Sequence, residues 1–432
     1  MSDGPRSGGH GRGLTRRRFF LGATAAAAGG AAIGIGLEAA GGRSEKPVPR
    51  VVLGAQPAGL PSRQHAWAAT LASDPVGDPI APRFDRLLFF DVNGQATPAH
   101  ARLLEAALRS LERTYRWGPS GLLFTAGWGP AYFESVLHVT SPIPPAKALS
   151  DFELPAIDDY HLCLHLAGDD EQRLAAVEAA LVHGGPLEGA DGPLDLSPAL
   201  RWRETRTGFV GTGLPAAHQN AGGIPAGRPV SAQAPLFMGF KSNLRRNQAT
   251  EDAVTIPSGT FADATTMHVS YMRLRLDSWY RNLSERERVA RMYAPQVTPA
   301  QAARFTTDAA SDPDRIEQAI TRYGVIGHAQ TSARARRNGK PLILRRDFNT
   351  VDGGQAGLHF VALQRTIQDF VTTRTAMNAS SAQLKNPAIT DTVNNGINEF
   401  IFVLKRANYI LPSRHQRSFP SLEERERTRH GT

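Results

Sequence analysis

The chain has 432 residues, 41% of them hydrophobic and 21% charged, enough for two domains or one large one with a substantial core. Its 49 Lys and Arg against 40 Asp and Glu give a formal charge of +9, but no basic stripe interleaved with aromatics is present, which argues against nucleic-acid binding. A single cysteine, Cys163, excludes an internal disulfide and any thiolate-built zinc site.

In chain order, the first feature is Thr15-Arg16-Arg17-Arg18-Phe19-Phe20-Leu21, paired arginines directly before an apolar stretch. No charge follows from Phe19 to Leu37. A basic start, a weakly apolar middle and small residues beyond Glu38 read as a twin-arginine export signal over residues 1–40, cut near Ala39-Ala40. Such a signal is read by the translocation machinery and places the working protein in the periplasm or outside the cell. A transmembrane helix is the competing reading, since ~20 apolar residues span a bilayer. Five Gly and seven Ala in the stretch make a poor anchor, so no lasting membrane span is expected. Residues 41–80, rich in Gly, Pro, Ser and Ala, read as a linker or arm.

Order is expected to begin with the apolar strand Arg86 to Val92. Thr97-Pro98 then supplies an N-cap and first-turn proline, and Leu103, Leu104, Ala107, Leu108 and Leu111 continue at helical period. Strands follow over residues 121–127 and 160–166, the second leading into a helix from about Glu171 to Val182. Residues 184–235 show little periodicity and read as an irregular connection. The outline then repeats: a strand from His268 to Leu276, a helical stretch opening at Asp277 and running through Arg288, a strand from Gly357 to Leu363, a helix starting near Thr366 and a last strand ending at Pro412. Two similar halves, residues 81–235 and 236–412, imply an α+β protein whose antiparallel sheets are covered by helices on one face. Residues 413–432 are polar and read as a mobile tail.

Among thirteen histidines, His161 and His165 share a strand face with Cys163, a pattern of packing more often than of metal binding. His359 lies within an apolar strand and reads as a core residue. His328 differs: it follows Gly327 in a segment without strong helical pattern, and Ile343-Leu344-Arg345-Arg346-Asp347 comes shortly after. Such a pair could serve a heme, the histidine on iron and the arginine facing peroxide. Surface His and surface Arg is the competing interpretation.

The order of motifs over residues 85–412 resembles the dye-decolourising (DyP-type) heme peroxidases. Gly121 to Phe133, with Gly127-Trp128-Gly129-Pro130, is similar to that family's strand and Gly-x-Gly-Pro segment. Asp159 to His165 is similar to its Asp-Leu-Leu-Leu-His strand, and Gly239-Phe240-Lys241 to the opening of its distal motif. Ser270-Tyr271 and Trp279 match the strand and helix that follow. His328 falls at the iron-binding histidine, Leu344-Arg345-Arg346 at the distal arginine, Gly357-Leu358-His359-Phe360 at the Gly-Leu-x-Phe strand, and Ile397-Asn398-Glu399-Phe400-Ile401 at the segment before the last strand.

The resemblance implies two ferredoxin-like halves of the DyP-like dimeric α/β-barrel superfamily, with heme b held mainly by the second. His328 would be the proximal ligand, Glu399 its carboxylate partner and Asp391 the second candidate. Arg345 would face the open side, with Arg346 the weaker alternative. Gly239, Phe240, Leu358 and Phe360 would line the heme. Hydrogen peroxide and an organic reductant would be the substrates, with Trp128, Trp279 or Tyr271 as relays; self-association into a homo-oligomer is left open. One departure matters. Where the family places an aspartate after Gly-x-x, this chain reads Gly239-Phe240-Lys241-Ser242, and Ser242 is no acid–base group near neutral pH. A heme-binding or delivery protein with little turnover is therefore the alternative, and Glu251, Asp252 or Asp347 could compensate if one reaches the pocket.

Overall fold

A computed structural model describes residues 59–192, 194–242, 244–302 and 312–423. The export segment and the last nine residues of the tail lie outside the described residues. No helix among the described residues is long and apolar enough to cross a membrane.

Strands β1 (Phe84–Val92), β2 (Leu123–Trp128), β3 (Ala156–Ile157), β4 (Leu162–Gly168) and β5 (Leu200–Phe209) form the first half. The second holds β6 (Thr265–Leu274), the short hairpin β7 (Arg336–Arg337) and β8 (Lys340–Pro341), β9 (Leu344–Arg345), β10 (Phe348–Thr350), β11 (Gly357–Gln364) and β12 (Ile401–Leu411). The order β5-β1-β4-β2 is that of a ferredoxin-like sheet, and β12-β6-β11 with β9 and β10 beyond repeats it. All these neighbours are antiparallel except β3, which runs parallel to β12. Ile410 beside Trp128 joins the halves at one seam, and β10, bonded to both β11 and β5, closes the other. Closure leaves the main sheet without a long open edge.

The strand period of two sorts side chains onto the two faces. Along β1, Leu88, Phe90 and Val92 point outward into a core shared with the first-half helices, whereas Leu87 and Phe89 point into the barrel with Cys163, Met267, Val269, Phe348, Val361 and Tyr409. Helix Pro98–Thr114 starts as expected: the Thr97 side chain accepts from the His100 N–H at 3.2 Å, and Pro98 has no N–H to leave unpaired. Its buried stripe is Leu104, Ala107, Leu108 and Leu111, each leucine contributing about 1.5–3 kcal/mol on burial. Helix Glu171–His183 is capped by Asp170 and ends at Gly184, whose φ of 65° suits glycine.

Three segments differ from the sequence expectation. Strand β5 occupies part of what reads as an irregular connection. Its alternation is hidden because the barrel interior there is charged: Arg206, 2% exposed, donates to Asp158 at 2.6 Å and Glu204 at 2.8 Å and lies over the Phe89 ring. The arm is anchored over its described part by Gln64, His65 and Trp67, all buried. The tail is packed as far as Leu422: Arg417 is fully buried and bonds Glu105 and Glu112 of helix Pro98–Thr114, with Phe419 against Trp128. The arm reads as a linker and the tail as mobile in the sequence because their anchors pair with distant parts of the chain: Gln64 with Ala126 and Pro412, Arg417 with Glu105.

Candidate functional site

The outer face of β6, β11 and β12 forms the floor of a deep cavity. Ser270, Met272 and Leu274 come from β6, Leu358 and Phe360 from β11, and Ile401, Val403 and Arg406 from β12. The placement of Arg406 depends on a bulge. Val403 lies opposite Met272, but the register shifts before Lys405, so Arg406 and not Lys405 sits opposite Ser270. Helix Ile367–Asn378, opened by a Thr366–Asp369 capping box, supplies Phe370, Thr373, Arg374 and Met377 to one wall. Residues 236–247 and 341–347 supply the opposite side, including Phe240, Ser242, Arg345 and Asp347. The cavity's empty space, its solvent-open mouth included, is about 1450 Å³.

His328 opens helix His328–Ala333 and faces this cavity. Gly327 before it leaves no room for a side chain, since a Cβ would fall 2.0 Å from the Tyr293 carbonyl oxygen. Across from it Gly396, at φ 53°, packs its backbone against His328. The two glycines let the chain close around the imidazole's base. Burial pulls the His328 pKa down to about 3, with Arg345 and Arg374 adding to the effect, so the ring is neutral and keeps a lone pair for a Lewis acid. Its Nδ1 is buried without a hydrogen-bond partner. Neither expected carboxylate reaches it: Asp391 accepts from Gln383 at 2.7 Å, and Glu399 lies outside the cavity, where its charge acts on Arg291.

Arg345 also reaches the cavity and is held from behind. Gln248 Oε1 accepts from the Arg345 N–H at 2.8 Å, Gln248 Nε2 donates to the Arg345 carbonyl at 3.0 Å, and Arg345 Nη2 donates to the Ser242 carbonyl at 2.6 Å. Burial lowers its pKa, opposed by the Asp347 charge and by Tyr293. Ser242 Oγ donates to Asp347 Oδ1 at 2.9 Å, so the serine, the arginine and the aspartate form one polar group on one side of the cavity. Of the other compensating acids, Glu251 accepts from the Trp67 and Ala68 N–H groups at 2.6 and 2.8 Å, and Asp252 pairs with Arg63; neither lines the cavity.

Arg346 points away from the cavity. Its guanidinium lies 3.7 Å over the Trp67 ring and pairs with Glu251 at 3.3 Å, so it fastens the arm. This follows from the strand period, which sends neighbours to opposite faces. Phe240, Leu358 and Phe360 line the cavity; Gly239 does not, but its φ of 90° lets the segment turn while Trp279 Nε1 and Tyr280 OH bond the carbonyls of Met238 and Phe237. Of the proposed relays, Trp128 bonds the Arg417 carbonyl in the first core and Tyr271 bonds the Asp352 carbonyl. No group of three or more His, Cys, Asp or Glu among the described residues is placed to hold a bare metal ion, and His165 is instead bonded to Asp85 at 2.8 Å.

Sequence reasoning misses the cationic lining. Besides Arg345, the cavity is bordered by Lys241, Arg336, Arg374 and Arg406, while Asp347 is the one carboxylate among its described lining residues. A charged residue inside the buried strand β12 was the available signal for Arg406; nothing in the sequence marks Arg374 or Glu153, which the fold brings to it. The site thus combines an apolar floor, a neutral imidazole and a basic border in which Lys241 is paired with Asp74 and Asp78, and Arg406 and Arg374 with Glu153. It suits a large, mostly apolar ligand that carries negative groups and offers a metal to one nitrogen.

Residues 82–413 match the model of a family of unknown function, DUF7405. No curated protein is detectably similar in sequence. Among solved structures, the chain is similar to the encapsulated DyP-type peroxidase of Mycobacterium smegmatis (15% identity, 79% of this chain and 95% of that one, TM-score 0.52). It is also similar to the DyP-type peroxidase of Cellulomonas bogoriensis (18%, 77% and 90%, 0.51) and to a DypB variant of Rhodococcus jostii RHA1 in complex with heme (12%, 82% and 97%, 0.51). At these identities the likeness is one of fold: two ferredoxin-like sheets closed into one barrel.

Proposed function

As the chain belongs to DUF7405, a family of unknown function, and has the fold of the DyP-type peroxidases, we propose that it is a heme-dependent peroxidase that uses hydrogen peroxide to oxidise an organic donor. The observation that carries the proposal is His328: a half-buried, neutral imidazole lining a largely apolar cavity that Arg345 also lines. The residues fit heme b. Its macrocycle matches the Met272, Leu358, Phe360, Ile401 and Val403 surface, and its two carboxylates match the arginine-rich border. The neighbour solved with heme supports the same cofactor.

When bound, the heme supplies the redox chemistry that reduces peroxide. The chain's own residues do the rest. His328 would hold the iron through its ring nitrogen, with Gly327 and Gly396 fixing the backbone around it. Arg345, clamped by Gln248, offers a fixed positive charge where negative charge develops on a peroxide oxygen. The arginine-led start of the sequence supports export by the twin-arginine route to the periplasm or beyond, with the folded chain already loaded.

One observation favours a second reading, heme binding or delivery with little turnover. His328 Nδ1 lacks the carboxylate partner that raises a ligand histidine's basicity. Reconstitution with heme b followed by peroxide and an anthraquinone dye separates the two. A Soret band with dye oxidation supports the peroxidase, a Soret band with no turnover supports the carrier, and no Soret band rejects both.

A further inference from the structure

A peroxide that enters the cavity must lose a proton before its oxygen becomes a good ligand or nucleophile, so the site needs a base in reach. Most polar residues bordering the cavity cannot serve. Lys241, Arg336, Arg345, Arg374 and Arg406 are hydrogen-bond donors with no acceptor to offer. The Ser242 hydroxyl is far too weak an acid or base, and burial pushes the Tyr293 hydroxyl pKa up. His328 is committed to the metal in the proposed function. Glu153, behind Arg406, has both oxygens taken by that guanidinium at 3.0 and 2.7 Å.

Asp347 remains. It lines the cavity, it is half-buried, and the Ser242 hydroxyl donates to its Oδ1 at 2.9 Å. That bond fixes the carboxylate's orientation on the Arg345 side of the cavity. The Asp347 charge lies near enough to Arg345 to offset part of the burial that lowers the guanidinium pKa.

We propose that Asp347 is the proton acceptor of this site, with Ser242 as its positioning residue. The inference rests on the heme reading above. The step is an acid–base exchange: an O–H bond of hydrogen peroxide breaks, an O–H bond forms on the Asp347 carboxylate, and the hydroperoxide anion is left beside Arg345. Ser242 keeps its own proton and its bond to Oδ1. The base thus comes from the position two residues after Arg345, and the Gly239 segment supplies only the serine that orients it.

The test uses the full-length chain reconstituted with heme b and two probes besides peroxide. Hydrogen cyanide is a weak acid that must give up a proton to bind, whereas carbon monoxide binds the reduced protein without one. Asp347→Asn is expected to slow cyanide binding at pH 7 by about 10²–10⁴-fold while leaving the Soret band and the carbon monoxide rate unchanged. Asp347→Glu should recover part of the rate. Ser242→Ala should slow cyanide binding less than Asp347→Asn does. Cyanide binding unchanged in Asp347→Asn overturns the proposal. So does an equal loss of the cyanide and carbon monoxide rates, which would mark Asp347 as structural only. A normal Soret band in those outcomes leaves the heme reading standing; a missing band in the unmodified chain removes both.

Discussion

Arg406 grips Glu153 through one guanidinium nitrogen, 3.0 and 2.7 Å from the two carboxylate oxygens, in a pocket where each side chain is only 2% exposed. The other end of the same guanidinium bonds Ser270 and His268, both at 3.0 Å, and Arg374 stands 3.8 Å from the carboxylate. The loop bearing Glu153 is thus tied to β12 behind the cavity floor. Removing one partner of a buried pair strands the other without water, at a cost of about 3–5 kcal/mol. Glu153→Gln is expected to destabilise the protein by that order, read as a fall in the urea midpoint. An unchanged midpoint would mean that the pair makes no net contribution.

Arg345 and Arg346 are neighbours with opposite surroundings, one on the cavity and one on Trp67. Arg345→Ala should retain the Soret band and lower peroxide-driven dye oxidation by about 10²–10³-fold, as loss of a preorganised donor to developing charge does. Arg346→Gln should leave dye oxidation unchanged and instead loosen the arm, seen as faster proteolysis near residue 67. The reverse pattern would exchange the two roles.

Stability should also report the buried histidines. Burial, reinforced by Arg346 and Arg63, lowers the His65 pKa to about 3, and burial with Arg406 lowers that of His268. Both folded values lie below the unfolded 6.5, so the unfolded chain binds more protons in acid. Their destabilisation is absent above pH 6.5 and grows as pH falls from there toward the folded values, at up to about 1.4 kcal/mol per pH unit for each histidine. Urea unfolding at pH 7, 5.5 and 4.5 should show this fall, and His65→Gln should make it shallower. Equal slopes in the two proteins would show that His65 is not neutral in the fold.

Much of the fold is legible where burial is apolar. Arg86 to Val92, Gly357 to Leu363 and the helix after Thr97 could be read because hydrophobic side chains record their period. Strand β5 could not, since Arg206 and Glu204 fill its share of the barrel with paired charge. At the site, His328 is marked by its glycine and Arg345 by its apolar strand, but their surroundings are not. A bulge between Val403 and Lys405 decides which basic residue of β12 faces the cavity, and a register shift leaves no local trace in sequence. Glu399 looked like the histidine's partner from its place in a motif; three-dimensional packing puts its carboxylate elsewhere. The Ser242–Asp347 bond spans 105 positions and becomes visible only once the chain is folded.

The most direct measurement is the absorption spectrum of the heme-reconstituted chain beside that of His328→Ala. The account predicts a Soret band in the first, and in the second its loss or a shift to that of heme without a protein ligand, with imidazole added to solution restoring part of it. An identical Soret band in both proteins would contradict the assignment of His328 and, with it, the proposed site.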